Sequence, residues 1–150
     1  MSPEDRLREL GLELPEPPQL PFTPRLRPVL VHGGLAYLSG NGDVGVLGRV
    51  GDDVTVDEAR GAARTTAHLM CRSLRDELGT LDSVARWVKV LVLVRLAPGF
   101  GEQPQVANGF TEAIVELWGE ECGLCARSAI GVAELPSGLA VEVEATVALG

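Results

Sequence analysis

Arg127, Glu142 and Glu144 sit near the end of a 150-residue chain, and their types allow shared chemistry. A planar guanidinium grips a carboxylate through two parallel hydrogen bonds, which fixes orientation as well as supplying charge. A carboxylate can hold a water molecule and accept its proton. The stretch from Ala126 to Ala148 reads as a β-hairpin, with two alternating apolar runs flanking a turn at Pro136-Ser137-Gly138. On its second strand Val141, Val143, Ala145 and Val147 point one way, and Glu142, Glu144 and Thr146 the other. On its first strand Ile130 and Val132 share a face and Arg127 takes the opposite one. If both apolar sets lie on one side, Arg127 shares the other side with the two glutamates. Such a charged row is wet, meets a partner subunit, or belongs to a site.

Three other patterns invite chemistry and fail on context. Gly40-x-Gly42-x-x-Gly45 follows a strand, but the continuation Val46-Leu47-Gly48-Arg49-Val50-Gly51 cannot open the helix whose N-terminus holds a pyrophosphate. It reads as a glycine-rich turn. His68 has no second histidine or carboxylate at metal spacing and reads as a helix-surface or boundary residue. Cys122-x-x-Cys125 lacks the second pair that zinc needs, and no helix starts at its first cysteine to acidify it. Structural cysteines are the expectation there, and no metal is expected anywhere.

The elements that must position these residues follow from periodicity. Ser2-Pro3-Glu4-Asp5 starts a helix with a stripe of Leu7 and Leu10, ended by Gly11. Six prolines between Leu12 and Pro28 make an extended tether. Residues 1–28 are therefore read as an N-terminal extension and 29–150 as the domain. Val29–His32 and Leu35–Leu38 form strands around the turn Gly33-Gly34. Thr55-Val56-Asp57-Glu58 is a capping box that opens a helix to Leu78, closed by Gly79, with a stripe that starts small at Ala59, Ala62 and Ala63. Trp87 to Leu96 is a central strand, and Gln105 to Trp118 a second helix with Val106, Phe110, Ile114 and Trp118 on one face, stopped by Gly119. The order implies an α/β (α+β) fold, a mixed sheet with both helices on one face. Its other face is left without cover, which implies homo-oligomerisation through that side.

Composition narrows the function classes. A formal net charge of -8, with 13 scattered Lys and Arg residues, disfavours a binder of nucleic-acid backbone. No apolar run reaches the length of a membrane span. An odd count of three cysteines and no leader-like start point to a cytoplasmic protein.

With these residues in place, the chain resembles the RidA/YjgF family of enamine/imine deaminases from about Arg6 to Gly150. The resemblance is carried by Leu38-Ser39-Gly40, Val106-Ala107-Asn108, Ala126-Arg127-Ser128, Val132-Ala133-Glu134-Leu135-Pro136 and Val141-Glu142-Val143-Glu144-Ala145. It implies a chorismate-mutase-like single domain that assembles as a homotrimeric barrel with ligand clefts between subunits. It implies further that Arg127 binds a substrate carboxylate, that Glu142 positions water, and that Ser39, Gly40 and Asn108 line the pocket. Ala129 stands where the family has a pocket cysteine, and Phe22 is the candidate for its upstream aromatic residue. The implied activity is hydrolysis of small 2-enamino or 2-imino acids to 2-oxo acids and ammonia, with no cofactor. In the hairpin register Arg127 pairs near Thr146 and Glu142 near Gly131, four residues or about 13 Å apart along the strand. That distance predicts that the arginine of one subunit and the glutamate of its neighbour share each cleft.

Overall fold

A computed structural model describes residues 1–150. Its elements are α1 (Pro3–Leu10), β1 (Val29–His32), β2 (Leu35–Asn41), α2 (Val56–Leu78), β3 (Val84–Arg95), α3 (Gln103–Gly123), β4 (Ala126–Val132) and β5 (Val141–Leu149). The strands form a single mixed sheet in the order β1-β2-β5-β3-β4.

Local chemistry accounts for most boundaries. Gly33 and Gly34 both take positive φ, 61° and 76°, which lets β1 and β2 close as a tight hairpin. Thr55 caps α2 by accepting the Glu58 N–H, and Gly79 ends it in the left-handed conformation. Gly119, at φ 75°, interrupts α3, and one further turn carries the chain to Gly123. The glycine-rich segment first extends β2 to Asn41 and then turns, with no helix before α2, so the dinucleotide pattern lacks the helix it needs.

The C-terminal topology differs from the expected hairpin. β4 and β5 are not neighbours: β3 lies between them, parallel to β4 and antiparallel to β5. The Pro136-Ser137-Gly138 turn is present, but it carries the chain over the end of β3, where the Arg95 N–H donates to the Ala140 carbonyl at 2.9 Å. The physical reason lies in β3. Trp87, Val90, Val92 and Val94 bury one face of a twelve-residue strand, and such a strand is satisfied only with a partner on each side. The helical crossover through α3 makes β4 the parallel partner, which leaves β5 to fill the slot between β2 and β3.

Both long helices cover one face of the sheet. Val141, Val143, Ala145 and Val147 join Trp87, Val90, Val92 and Val94 of β3 beneath Ala59, Ala62, Ala63, Ala67, Met70 and Leu74 of α2 and Val106, Phe110, Ala113, Ile114 and Leu117 of α3. Trp87 meets Phe110 and Trp118 edge-on, each at a ring-centroid distance of 5.6 Å. The opposite sheet face carries no element. Leu30, Tyr37 and Ile130 stand exposed there, beside partly exposed Leu91 and Leu93. At the N-terminus, α1 buries Leu7 in the same core, and Glu4 pairs with Arg75 and accepts the Leu81 N–H at 2.9 Å. Residues 12–28 carry neither helix nor strand. No helix is long and apolar enough to cross a membrane.

Candidate functional site

Arg127 is the second residue of β4 and lies beside Val90, so its side chain rises on the helix-covered side of the sheet. There it meets α3. One guanidinium nitrogen, Nη1, donates to Asn108 Oδ1 and to Thr111 Oγ1, both at 3.0 Å. Asn108 and Thr111 are three apart on a helix and therefore share a face. The Thr111 hydroxyl donates in turn to the Ala107 carbonyl at 3.5 Å. None of the chain's ion pairs involves Arg127; its two partners are neutral. Ala129 follows on the same side of β4, beside Val92, half-buried.

Glu142 lies elsewhere. It is the second residue of β5, opposite Leu93, on the uncovered face. Its carboxyl rests against Gly40, where an added Cβ would stand 3.0 Å from Oε1 and 3.1 Å from Cδ. A side chain at position 40 would press on the carboxylate and displace it by a few tenths of an ångström, so glycine lets the carboxyl lie close against the β2 backbone. The Glu142 carboxylate has no hydrogen-bond or ion-pair partner within the chain, and burial, helped by the neighbouring Glu144, holds its pKa above the ordinary glutamate value. Ser39 precedes Gly40, and its hydroxyl donates to the Arg27 carbonyl at 2.6 Å, which pins the proline-rich segment to the end of β1 and β2.

The expected residues thus form two groups. Arg127, Asn108 and Ala129 gather at the edge strand under α3; Glu142, Gly40 and Ser39 gather where β2 meets β5. The anticipated common face for Arg127, Glu142 and Glu144 is not formed. Ile130, beside Leu93, faces the same side as the glutamates, and Arg127 faces the other. Ile130 and Val132, though apolar, point away from the helices. Nor does Arg127 pair near Thr146: its row runs through Val90 to Ala145, with Glu142 three residues further along and two strands across. At about 3.3 Å per residue and 4.8 Å per strand the two positions are roughly 14 Å apart.

Three surface concavities, of about 510, 520 and 250 Å3, lie away from Arg127: under the loop that holds Phe100, beside α1, and on the open sheet face between Tyr37, Lys89 and Glu144. Cys122 and Cys125 are free thiols, and no group of three His, Cys, Asp or Glu residues could hold a metal ion. His68 is half-buried on α2, and burial, together with the nearby Arg64, lowers its pKa. Thr111 is the one member of the Arg127 cluster that the sequence reading missed. Its three-residue spacing from Asn108 was the available signal.

No family model matches the chain. Protein TCP17 of Trypanosoma cruzi is 42% identical over 148 residues, covering 95% of this chain and 91% of that protein. The crystal structure of Atu1372 from Agrobacterium tumefaciens, a protein of unknown function, is 35% identical, with a TM-score of 0.85 over 98% of this chain and 91% of its own. The Escherichia coli YjgF gene product is 21% identical, with a TM-score of 0.56 over 83% of this chain and 87% of its own, a likeness of fold. Further neighbours of the same fold are described as Rid proteins or as L-PSP endoribonuclease candidates. The chain therefore belongs to one family with TCP17 and Atu1372, and it carries the fold of the YjgF/Rid/L-PSP proteins that its sequence resembles.

Proposed function

We propose that the chain is a cytoplasmic homotrimeric hydrolase of small 2-enamino or 2-imino acids, with 2-aminoacrylate as a representative substrate. The reading rests on one observation: Arg127 is held by two neutral acceptors and faces no carboxylate in its own chain, so its remaining N–H groups are available to an anionic ligand. The substrate carboxylate takes that place. The enamine first takes a proton from solvent at C3 to give the iminium form. Water held by Glu142 of the partner subunit adds to the iminium carbon and its proton passes to the carboxylate. The carboxyl then returns that proton to the nitrogen, the C–N bond breaks as the hydroxyl oxygen forms the carbonyl, and the hydroxyl proton goes to the departing ammonia, giving ammonium and a 2-oxo acid. Because such imines hydrolyse readily in water, positioning and proton transfer through one carboxylate are sufficient catalysis. Ser39, Gly40, Asn108, Arg127, Ala129 and Glu142 all lie within residues 29–150, the part we read as the domain. A neighbour of the same fold, TdcF of Escherichia coli, is described with bound serine, which is a carboxylate ligand of this size.

Assembly is part of the proposal, because Arg127 and Glu142 point to opposite sides of one sheet. The open face, with Leu30, Leu91, Leu93 and Ile130, offers the apolar area that subunit contact would cover. Sedimentation equilibrium should give three times the 15.9 kDa monomer mass. Ile130→Lys, at an exposed position, should shift the protein to monomers and abolish activity together; a monomeric, fully active wild type would remove the shared cleft.

Glu142 also sets a pH dependence. Only the ionised carboxylate accepts the proton, and its pKa is raised, so kcat/KM should fall on acidification with a midpoint above the ordinary value of 4.5. Glu142→Gln should remove that limb and lower kcat by about 100-fold or more. Stability moves the opposite way. A raised folded-state pKa means stability that is full below the unfolded pKa and lost as pH rises through the folded one. In urea titrations Glu142→Gln should therefore be more stable than wild type at pH 7, and the difference should close below pH 4.5.

Ammonia and pyruvate release from 2-aminoacrylate generated in situ is the direct test. Acceleration by wild type supports the hydrolase. Saturable pyruvate binding without acceleration would replace it with a carboxylate-binding module. An acidic chain whose 13 basic residues are scattered gives the nuclease reading no support.

A further inference from the structure

We infer that Thr111 is a positioning residue which, with Asn108, selects the edge of the Arg127 guanidinium that meets the ligand; this rests on the reading of Arg127 as a carboxylate clamp. A guanidinium has five N–H groups in a fixed plane: one on Nε and two on each terminal nitrogen. Both acceptors found here lie on the same nitrogen, Nη1. Its two N–H groups are consumed, and three remain. Of these, the Nε–H and one Nη2–H run parallel along a single edge, the geometry that grips a carboxylate in two places. The ligand therefore has one bidentate edge available, not a choice of edges.

Thr111 suits this role for reasons specific to its position. Its hydroxyl proton is directed at the Ala107 carbonyl, so its oxygen turns a lone pair toward Arg127. Its backbone is anchored by Phe110, the preceding residue, which is 1% exposed and packs on Trp87. With Asn108 alone, the guanidinium could pivot about its one contact; a second acceptor from the same helix face fixes the plane. Nothing in this arrangement requires Thr111 to touch the ligand.

The test compares wild type, Thr111→Val, which keeps the shape and removes the oxygen, and Thr111→Ser, which restores it. Pyruvate is the binding probe, and 15N NMR of the Arg127 side chain reports its rotation directly. Wild type should show distinct Nη1 and Nη2 signals. In Thr111→Val these should merge, pyruvate affinity should fall about tenfold, and KM should rise with kcat changed less than twofold. Thr111→Ser should return all of these to within twofold of wild type. Unchanged Arg127 signals in Thr111→Val, or loss that serine does not rescue, would overturn the inference. If wild type binds no 2-oxo acid, the carboxylate reading fails, and the NMR comparison still decides the role of Thr111.

Discussion

Arg127→Ala is expected to lower kcat/KM for 2-aminoacrylate hydrolysis by two to three orders of magnitude while leaving the chain folded. The size follows from the contacts removed. A bidentate guanidinium–carboxylate pair contains two charge-assisted hydrogen bonds, each with a net value of about 1.5–3 kcal/mol, and water in the vacated space replaces part of that. A net loss of about 3–4 kcal/mol corresponds to the stated factor, at about 1.4 kcal/mol per tenfold. The fold should survive because Arg127 lies on an edge strand and is absent from the buried core. Its partners Asn108 and Thr111 are not fully buried, so water can satisfy them. Arg127→Lys separates charge from shape. Lysine keeps the cation without the planar fork, so it should recover less than a tenth of the lost activity. Steady-state rates at equal subunit concentration, with the oligomeric state of each variant compared with wild type by sedimentation, check both variants. Equal activity in wild type and Arg127→Ala would show that the guanidinium does not bind substrate.

How much of this was legible in the sequence depended on whether the signal was local. The capped start of α2, the Gly33-Gly34 turn, the stop at Gly119 and the apolar stripe of α3 are each written in a few neighbouring residues. The structure places them close to where periodicity puts them. Strand order is not local. Ala126–Val132 and Val141–Leu149 flank a turn and alternate correctly, which is all that a hairpin shows in sequence. Nothing within those segments says that β3, which precedes both with a whole helix in between, is more apolar and takes the place between them. The same gap misplaced Arg127. Its face is determined by contact with α3 across the chain, and the apolar residues Ile130 and Val132 gave the opposite indication because a face left open in one copy of the chain also carries apolar residues. The residue types of the site were readable, and their grouping was not. Arg127 with Asn108 and Thr111, and Glu142 with Gly40, are products of packing.

That dependence of the site on packing leads to a second large effect, at a residue with no chemistry of its own. Gly109→Ala should destabilise the protein by about 3 kcal/mol, roughly a 10 °C fall in Tm. A Cβ at Gly109 would stand 2.9 Å from the carbonyl carbon of Arg60 and well inside contact distance of its oxygen. Those atoms are helix backbone and cannot rotate aside, so α2 and α3 must separate. Propensity alone gives the opposite sign, since alanine in a helix is favoured over glycine by about 1 kcal/mol. Gly61 supplies the control: it lies on exposed α2 surface with nothing within 4 Å of an added Cβ, and Gly61→Ala should stabilise by about that amount. Urea melts of the two variants should thus move in opposite directions, and a shift of the same sign in both would refute the close-approach argument. The separation also reaches the site. Gly109 lies between Asn108 and Thr111, so any displacement of α3 from α2 moves both acceptors relative to Arg127 on β4. Gly109→Ala should therefore weaken pyruvate binding even where the protein remains fully folded, whereas Gly61→Ala should leave it unchanged.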